Sequence, residues 1–96
     1  MIYRLARSAQ NDVREIVSYY SSQKKGLGLR FANELELTCS AISENPLIGR
    51  PLSARTRRWL MDDFPYLVLY RVLANDVLIL KIVHEKRDPA NWQTDL

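Results

Sequence analysis

One cysteine in 96 residues, Cys39, leaves no internal disulfide to build, so packing and hydrogen bonding must hold this chain together. One histidine, His84, argues against a zinc site of the Cys/His kind, and no cofactor is expected. No apolar run approaches the ~20 residues that span a bilayer. The opening MIYRLARSAQ lacks the apolar core of a secretory signal. A cytoplasmic protein without membrane contact is the expectation. Repeats, low-complexity stretches and linkers are also missing, and residues 1–96 read as a single domain. A chain of this length buries a little over ~60% of its unfolded surface.

The richest stretch runs from Phe64 to Trp92. Two segments of branched and aromatic residues, Tyr66 to Leu73 and Val77 to Val83, flank the polar break Ala74-Asn75-Asp76. Val, Ile, Leu and Tyr suit a pleated, half-buried surface, and Asn and Asp tolerate the left-handed backbone of a tight hairpin. Alternation groups Tyr66, Val68, Tyr70 and Val72 against Leu67, Leu69, Arg71 and Leu73. It likewise groups Leu78, Leu80, Ile82 and His84 against Val77, Ile79, Lys81, Val83 and Glu85. Both sides of the hairpin are apolar. Either the chain covers both faces itself, or one awaits a partner.

Ahead of the hairpin, Ile2 to Leu5 suits a first strand. Ser8 offers an N-cap and Asp12 suits the positive end of a helix. Ala9, Val13, Ile16, Val17 and Tyr20 recur at helical spacing, and the helix should stop by Gly26. Gly26 and Gly28 make a turn into a second helix. Its inner stripe is Leu29, Ala32, Leu35, Cys39 and Ile42, with Phe31 and Leu37 on the flanks. Pro46 ends it at Asn45. A loop follows over residues 46–51, then an exposed edge strand from Arg55 to Leu60 and a turn at Asp62-Asp63. Asp88-Pro89 caps a last helical turn. The order β-α-α-β-β-β describes an α+β domain, with a helical hairpin laid on an antiparallel sheet.

Net charge is only +3, yet Arg50, Arg55, Arg57 and Arg58 fall within nine residues that hold no acid. Such a cluster attracts phosphates or acidic peptide segments, and it also suits a solvated loop. Cys39 sits in the apolar stripe and reads as a structural thiol.

Several punctuating motifs add up to a resemblance. Asp12, Ile16, Tyr19 and Tyr20 lie in the first helix. Pro46, Gly49 and Arg50 form a Pro-x-x-Gly-Arg loop. Phe64-Pro65-Tyr66 and Tyr70-Arg71-Val72 lie in the hairpin, and His84, Arg87, Asp88, Pro89 and Trp92 close the chain. Together and in order these resemble the ParE branch of the RelE/ParE toxin superfamily. The resemblance implies the toxin of a type II toxin–antitoxin pair that inhibits DNA gyrase by binding, with no catalytic residues, rather than an enzyme. It implies a cognate antitoxin that wraps the toxin and alone contacts DNA. The expected antitoxin contacts are Val13, Tyr20, Phe31, Leu35, Arg50, Arg55, Arg57 and Arg58. The expected target contacts are Trp59, His84, Arg87 and Trp92.

The RelE-like alternative cleaves messenger RNA on the ribosome. It needs a base, an acid and cations on the phosphate, roles open to Arg71, His84 and Arg87. The tail after Arg87 carries no tyrosine of the kind such nucleases often use. An inactive relative that only binds antitoxin as a co-repressor would look the same. His84 and Trp92 also have structural readings: His84 donating to a backbone carbonyl and fixing a turn, Trp92 closing one end of the core.

Overall fold

The computed structural model describes residues 1–93. Strand β1 (Ile2–Leu5) leads into helices α1 (Arg7–Gln23) and α2 (Leu27–Glu44). Strands β2 (Arg50–Pro51), β3 (Arg57–Leu60), β4 (Tyr66–Val72) and β5 (Asp76–His84) follow, and a 3-10 turn (Pro89–Asn91) comes last. The sheet order is β1-β5-β4-β3-β2, antiparallel throughout except that β1 runs parallel to β5. Two helices on one face of a mixed five-stranded sheet make an α+β fold, in the element order that the sequence implies with one short strand, β2, added.

Helix α1 buries Ala9 and Ile16 and packs Val13, Val17 and Tyr20 against the same core. Its N-terminus differs from expectation. Ala6 occupies the cap position without a side-chain bond, and the first turn holds no acid. Ser8 and Asp12 turn instead to the sheet, where the Lys81 ammonium sits 2.7 Å from Ser8 Oγ and Asp12 accepts the Ile82 N–H at 2.9 Å. They satisfy β5 just where β1, whose pairing ends at Leu5 opposite Ile79, no longer reaches it.

Gly26 alone makes the turn, with a left-handed φ of 85°. Gly28 lies inside α2, where a Cβ would come within 2.6 Å of the Val17 carbonyl. This close approach fixes which side of α2 faces inward. Gly28, Phe31, Leu35, Cys39 and Ile42 are buried, while Leu29 and Leu37 are 65% and 71% exposed. Phe31 therefore belongs to the core and Leu29 to the surface, the reverse of the sequence reading.

Strand β3 starts at Arg57 rather than Arg55, because the Thr56 carbonyl is taken up by a turn, accepting from the Leu52 and Ser53 N–H groups. The outermost strand is β2, in what the sequence reads as loop. Residues 73–75 join β4 to β5. No residue there has a positive φ, so the hairpin closes without the left-handed backbone expected of its Asn and Asp.

Within the hairpin, Leu69 pairs with Lys81 but Tyr70 pairs with Ile79, which leaves Leu80 as an extra residue. A bulge of this kind exchanges the faces of every residue beyond it. Val77 and Ile79 consequently share the helix-side core with Ile82, and Val83 joins Leu69 on the opposite side. That opposite face is partly covered by the chain's own Leu52 and Trp92.

Candidate functional site

Four aromatic rings tie α1 and α2 to the start of β4: Tyr20, Phe31, Phe64 and Tyr66 stand with centroids 5.2–6.3 Å apart. This contact takes up Tyr20 and Phe31, two of the four helix residues expected to meet an antitoxin, and the core takes up the other two. Phe31 is 0% and Leu35 5% exposed, and Val13 and Tyr20 are half-buried against the core. The apolar side chains that α1 and α2 do present are Tyr19, Leu29 and Leu37. On α2, Leu29, Asn33 and Leu37 follow at intervals of four and so share an outward row.

The arginine cluster is one patch in the sequence and two in space. Arg50 stands directly across the ladder from Arg58. Like charges so placed oppose one another. Both line a groove of about 580 Å³ whose floor includes Trp59, Leu60 and Leu67, with Asp62 and Glu85 supplying negative charge. Arg55 and Arg57 line a different cavity, of about 530 Å³, which they share with Arg71 from β4.

The loop between the two cavities is held from beneath. Arg57 donates to the Gly49 carbonyl at 2.7 Å. The Tyr70 hydroxyl donates to the Pro46 carbonyl at 2.7 Å and accepts the Gly49 N–H at 2.9 Å. A Cβ at position 49 would lie 2.8 Å from the Arg58 carbonyl and collide with Tyr70, which is why the loop carries glycine there. Burial raises the Tyr70 phenol above its usual value, against the opposing pull of the Gly49 N–H and Arg57.

Arg71, His84 and Arg87 are not brought together. Arg71 lies across from Leu78 and His84 from Tyr66, so the first two occupy opposite ends of β4. Five residues of extended strand put roughly 17 Å between those ends. They also occupy opposite faces, since Tyr66 belongs with the helix-side core and Leu67 and Leu69 with the other side. Arg71 Nε is 3.5 Å from Thr56 Oγ1.

His84 stands edge-on to Tyr66 at 5.3 Å. Its Nδ1 accepts the Lys86 N–H at 3.1 Å, and its carbonyl accepts the Arg87 N–H at 2.9 Å. It therefore shapes the turn after β5 as an acceptor, not as the donor expected, and that bond needs Nδ1 free of a proton. Arg87 is exposed beyond the turn. Trp59 is half-buried on β3 and reaches the first groove. Trp92 is 2% exposed against Leu69 and Val83, so it closes the sheet face instead of presenting itself to a target.

Among the described residues no group of His, Cys, Asp and Glu side chains is placed to hold a metal ion. Burial pushes the Cys39 thiol up to about 12, which keeps it unreactive at neutral pH. Among the described residues no helix is long and apolar enough to cross a membrane. Sequence reasoning missed Tyr70 as the anchor of the loop and the joint of Ser8, Asp12 and Lys81. The second had a signal: Asp12 shares a helical face with Ala9 and Ile16, and Lys81 is the one charge in the apolar run from Val77 to Val83.

Comparison with known proteins gives three agreeing matches. The sequence model described as the ParE toxin of type II toxin-antitoxin system, parDE, matches residues 3–89. Toxin ParE1 of Caulobacter vibrioides is 35% identical over 88 residues, covering 86% of this chain and 88% of that protein. A solved structure described as the chromosomal ParDE TA system from P. aeruginosa superposes with a TM-score of 0.74. It covers 88% of this chain and 95% of its own at 20% identity, so this last likeness is one of fold.

Proposed function

The chain belongs to the ParE toxin family of type II toxin–antitoxin systems, and from that premise we propose that it acts by binding, inhibits DNA gyrase, and is neutralised by a cognate antitoxin. The observation that carries the binding mechanism is the separation of Arg71 from His84, at opposite ends and on opposite faces of β4. Proton transfer requires the base, the acid and the phosphate-binding cations within hydrogen-bond reach of one reacting group. A binding surface has no such requirement.

The antitoxin in this reading covers the outward side of the helices, where Tyr19, Leu29 and Leu37 are exposed, and meets the arginines of the β2–β3 region with acidic side chains. DNA is reached only through the antitoxin. The target surface is the groove beside Trp59, with Leu60 and Leu67, together with the exposed Arg87. Tryptophan and arginine beside exposed aliphatic surface are the residue types that dominate binding hot spots.

The test is a supercoiling assay with purified protein, gyrase and relaxed plasmid. Inhibition that is relieved by the antitoxin supports the reading. Unimpaired supercoiling, together with messenger RNA cut only when ribosomes are present, moves the protein to the nuclease branch.

A further inference from the structure

Arg55, Arg57 and Arg71 come from a turn, from β3 and from β4, yet they line one cavity of about 530 Å³ to which, among the described residues, no carboxylate contributes. Among the described residues the ion pairs within 4.0 Å are Arg4 with Asp76, Arg30 with Asp63 and Lys81 with Asp12, none of which uses these arginines. Arg57 is held in place by the Gly49 carbonyl, and Arg71 lies within reach of Thr56. Guanidinium groups steered by neighbours of this kind are prepared for a fork-like bond to an oxyanion.

The remaining wall separates peptide from nucleic acid. It includes the aliphatic side chains of Leu47, Val72 and Leu73, and Leu47 and Val72 are 68% and 38% exposed. No aromatic ring lines the cavity. Single-stranded nucleic acid sites combine cationic grooves with aromatic platforms on which bases stack. A cavity of guanidinium and aliphatic groups matches a carboxylate side chain with an aliphatic neighbour. We propose that this cavity is the anchor site for an acidic–aliphatic peptide segment of the neutralising partner, which places a Glu or Asp on Arg55 and Arg71 and an aliphatic side chain against Leu47 and Val72. The assignment rests on the reading of this chain as an antitoxin-bound toxin. It goes beyond that reading in separating Arg55, Arg57 and Arg71 from Arg50 and Arg58, which line the other groove.

The test uses the full chain and a fluorescein-labelled octapeptide of alternating Glu and Leu, with its Gln–Leu counterpart and a labelled single-stranded oligonucleotide as controls. Arg57 is left intact because it holds the Gly49 loop. Anisotropy titrations should show binding of the Glu–Leu peptide that weakens as salt is raised, and no binding of the Gln–Leu peptide. Arg55→Gln/Arg71→Gln should weaken the Glu–Leu peptide roughly tenfold or more. Arg50→Gln/Arg58→Gln, with the same number of charges removed, should weaken it less than threefold, within the range of a screened surface charge. Equal losses in the two double variants would overturn the assignment, as would tighter binding of the oligonucleotide. Full-length antitoxin titrated against the same variants separates the two ideas. If it binds the parent and Arg55→Gln/Arg71→Gln with equal affinity, the cavity assignment fails while the toxin–antitoxin reading stands.

Discussion

The Tyr70 hydroxyl and the Gly49 backbone meet at 2.9 Å, 21 positions apart in sequence, and join the centre of the sheet to the loop beside both arginine cavities. Tyr70 is fully buried, and its bond with Gly49 is made away from water, while that to Pro46 is partly buried. Tyr70→Phe removes the acceptor for Gly49 and the donor for Pro46 while keeping the ring. The expected cost is about 1–3 kcal/mol, the range for leaving a buried polar group without its partner. Chemical denaturation measures it, and hydrogen exchange at the Gly49 amide should accelerate. Unchanged exchange there would mean that Tyr70 does not hold the loop.

The bulge at Leu80 makes a ranked prediction. Val68 and Ile79 are both 0% exposed on the helix side. Ile79→Ala should cost about 2–5 kcal/mol and Val68→Ala somewhat less. Leu80 is only half-buried, so Leu80→Ala should cost least of the three. A lower denaturant midpoint for Leu80→Ala than for Ile79→Ala would contradict the register shift.

Much of this was legible beforehand. The stripe Ala9, Ile16, Val17 and Tyr20, the Pro46 stop and the two strands of the hairpin follow from local pattern, because periodicity and backbone restriction act over a few residues. The rotation of α2 was not. Leu29 and Phe31 both fit a helical stripe, and the choice rests on the contact of Gly28 with Val17, which lies on another helix. Nor was the face of Ile82, since nothing around Leu80 announces an unpaired residue. The binding residues suffered most from reliance on adjacency. Arg50, Arg55, Arg57 and Arg58 are neighbours along the chain, and the turn before β3 sends them into two cavities.

Asp12 gives a pH prediction with a definite sign. Burial holds its carboxyl above the ordinary 3.8, in spite of the Ile82 N–H and Lys81, which pull the other way. The folded chain therefore keeps this proton to higher pH than the unfolded chain does. The stability associated with it is fully present below the unfolded pKa and is lost as pH rises through the folded one. Asp12→Asn keeps an acceptor for Ile82 and removes the titration. Between about pH 3 and 6, the midpoint of the parent should fall relative to that of the variant. Parallel curves would rule out Asp12 as the source.

For His84 the expectation is functional. His84→Gln removes the imidazole ring and its bond to the Lys86 N–H, at a cost of about 1 kcal/mol. The variant should fold, bind antitoxin and keep most of its toxicity on induced expression. Loss of one catalytic acid or base would lower the rate about 10²–10⁴-fold. Abolished toxicity in a well-folded variant that still binds antitoxin would therefore place His84 in a catalytic site.

The outer margins of the sheet have a consequence for a molecule made to change partners. On one side the last strand is two residues long, one of them Pro51, which has no N–H to offer. On the other, the edge strand β1 is only 4 residues long, and past its end the Asp12 carboxylate occupies the Ile82 N–H. A further strand from another copy finds no long row of open donors and acceptors at either place. Margins this short work against edge-to-edge pairing between copies of the chain, and so against growth of self-templated fibres.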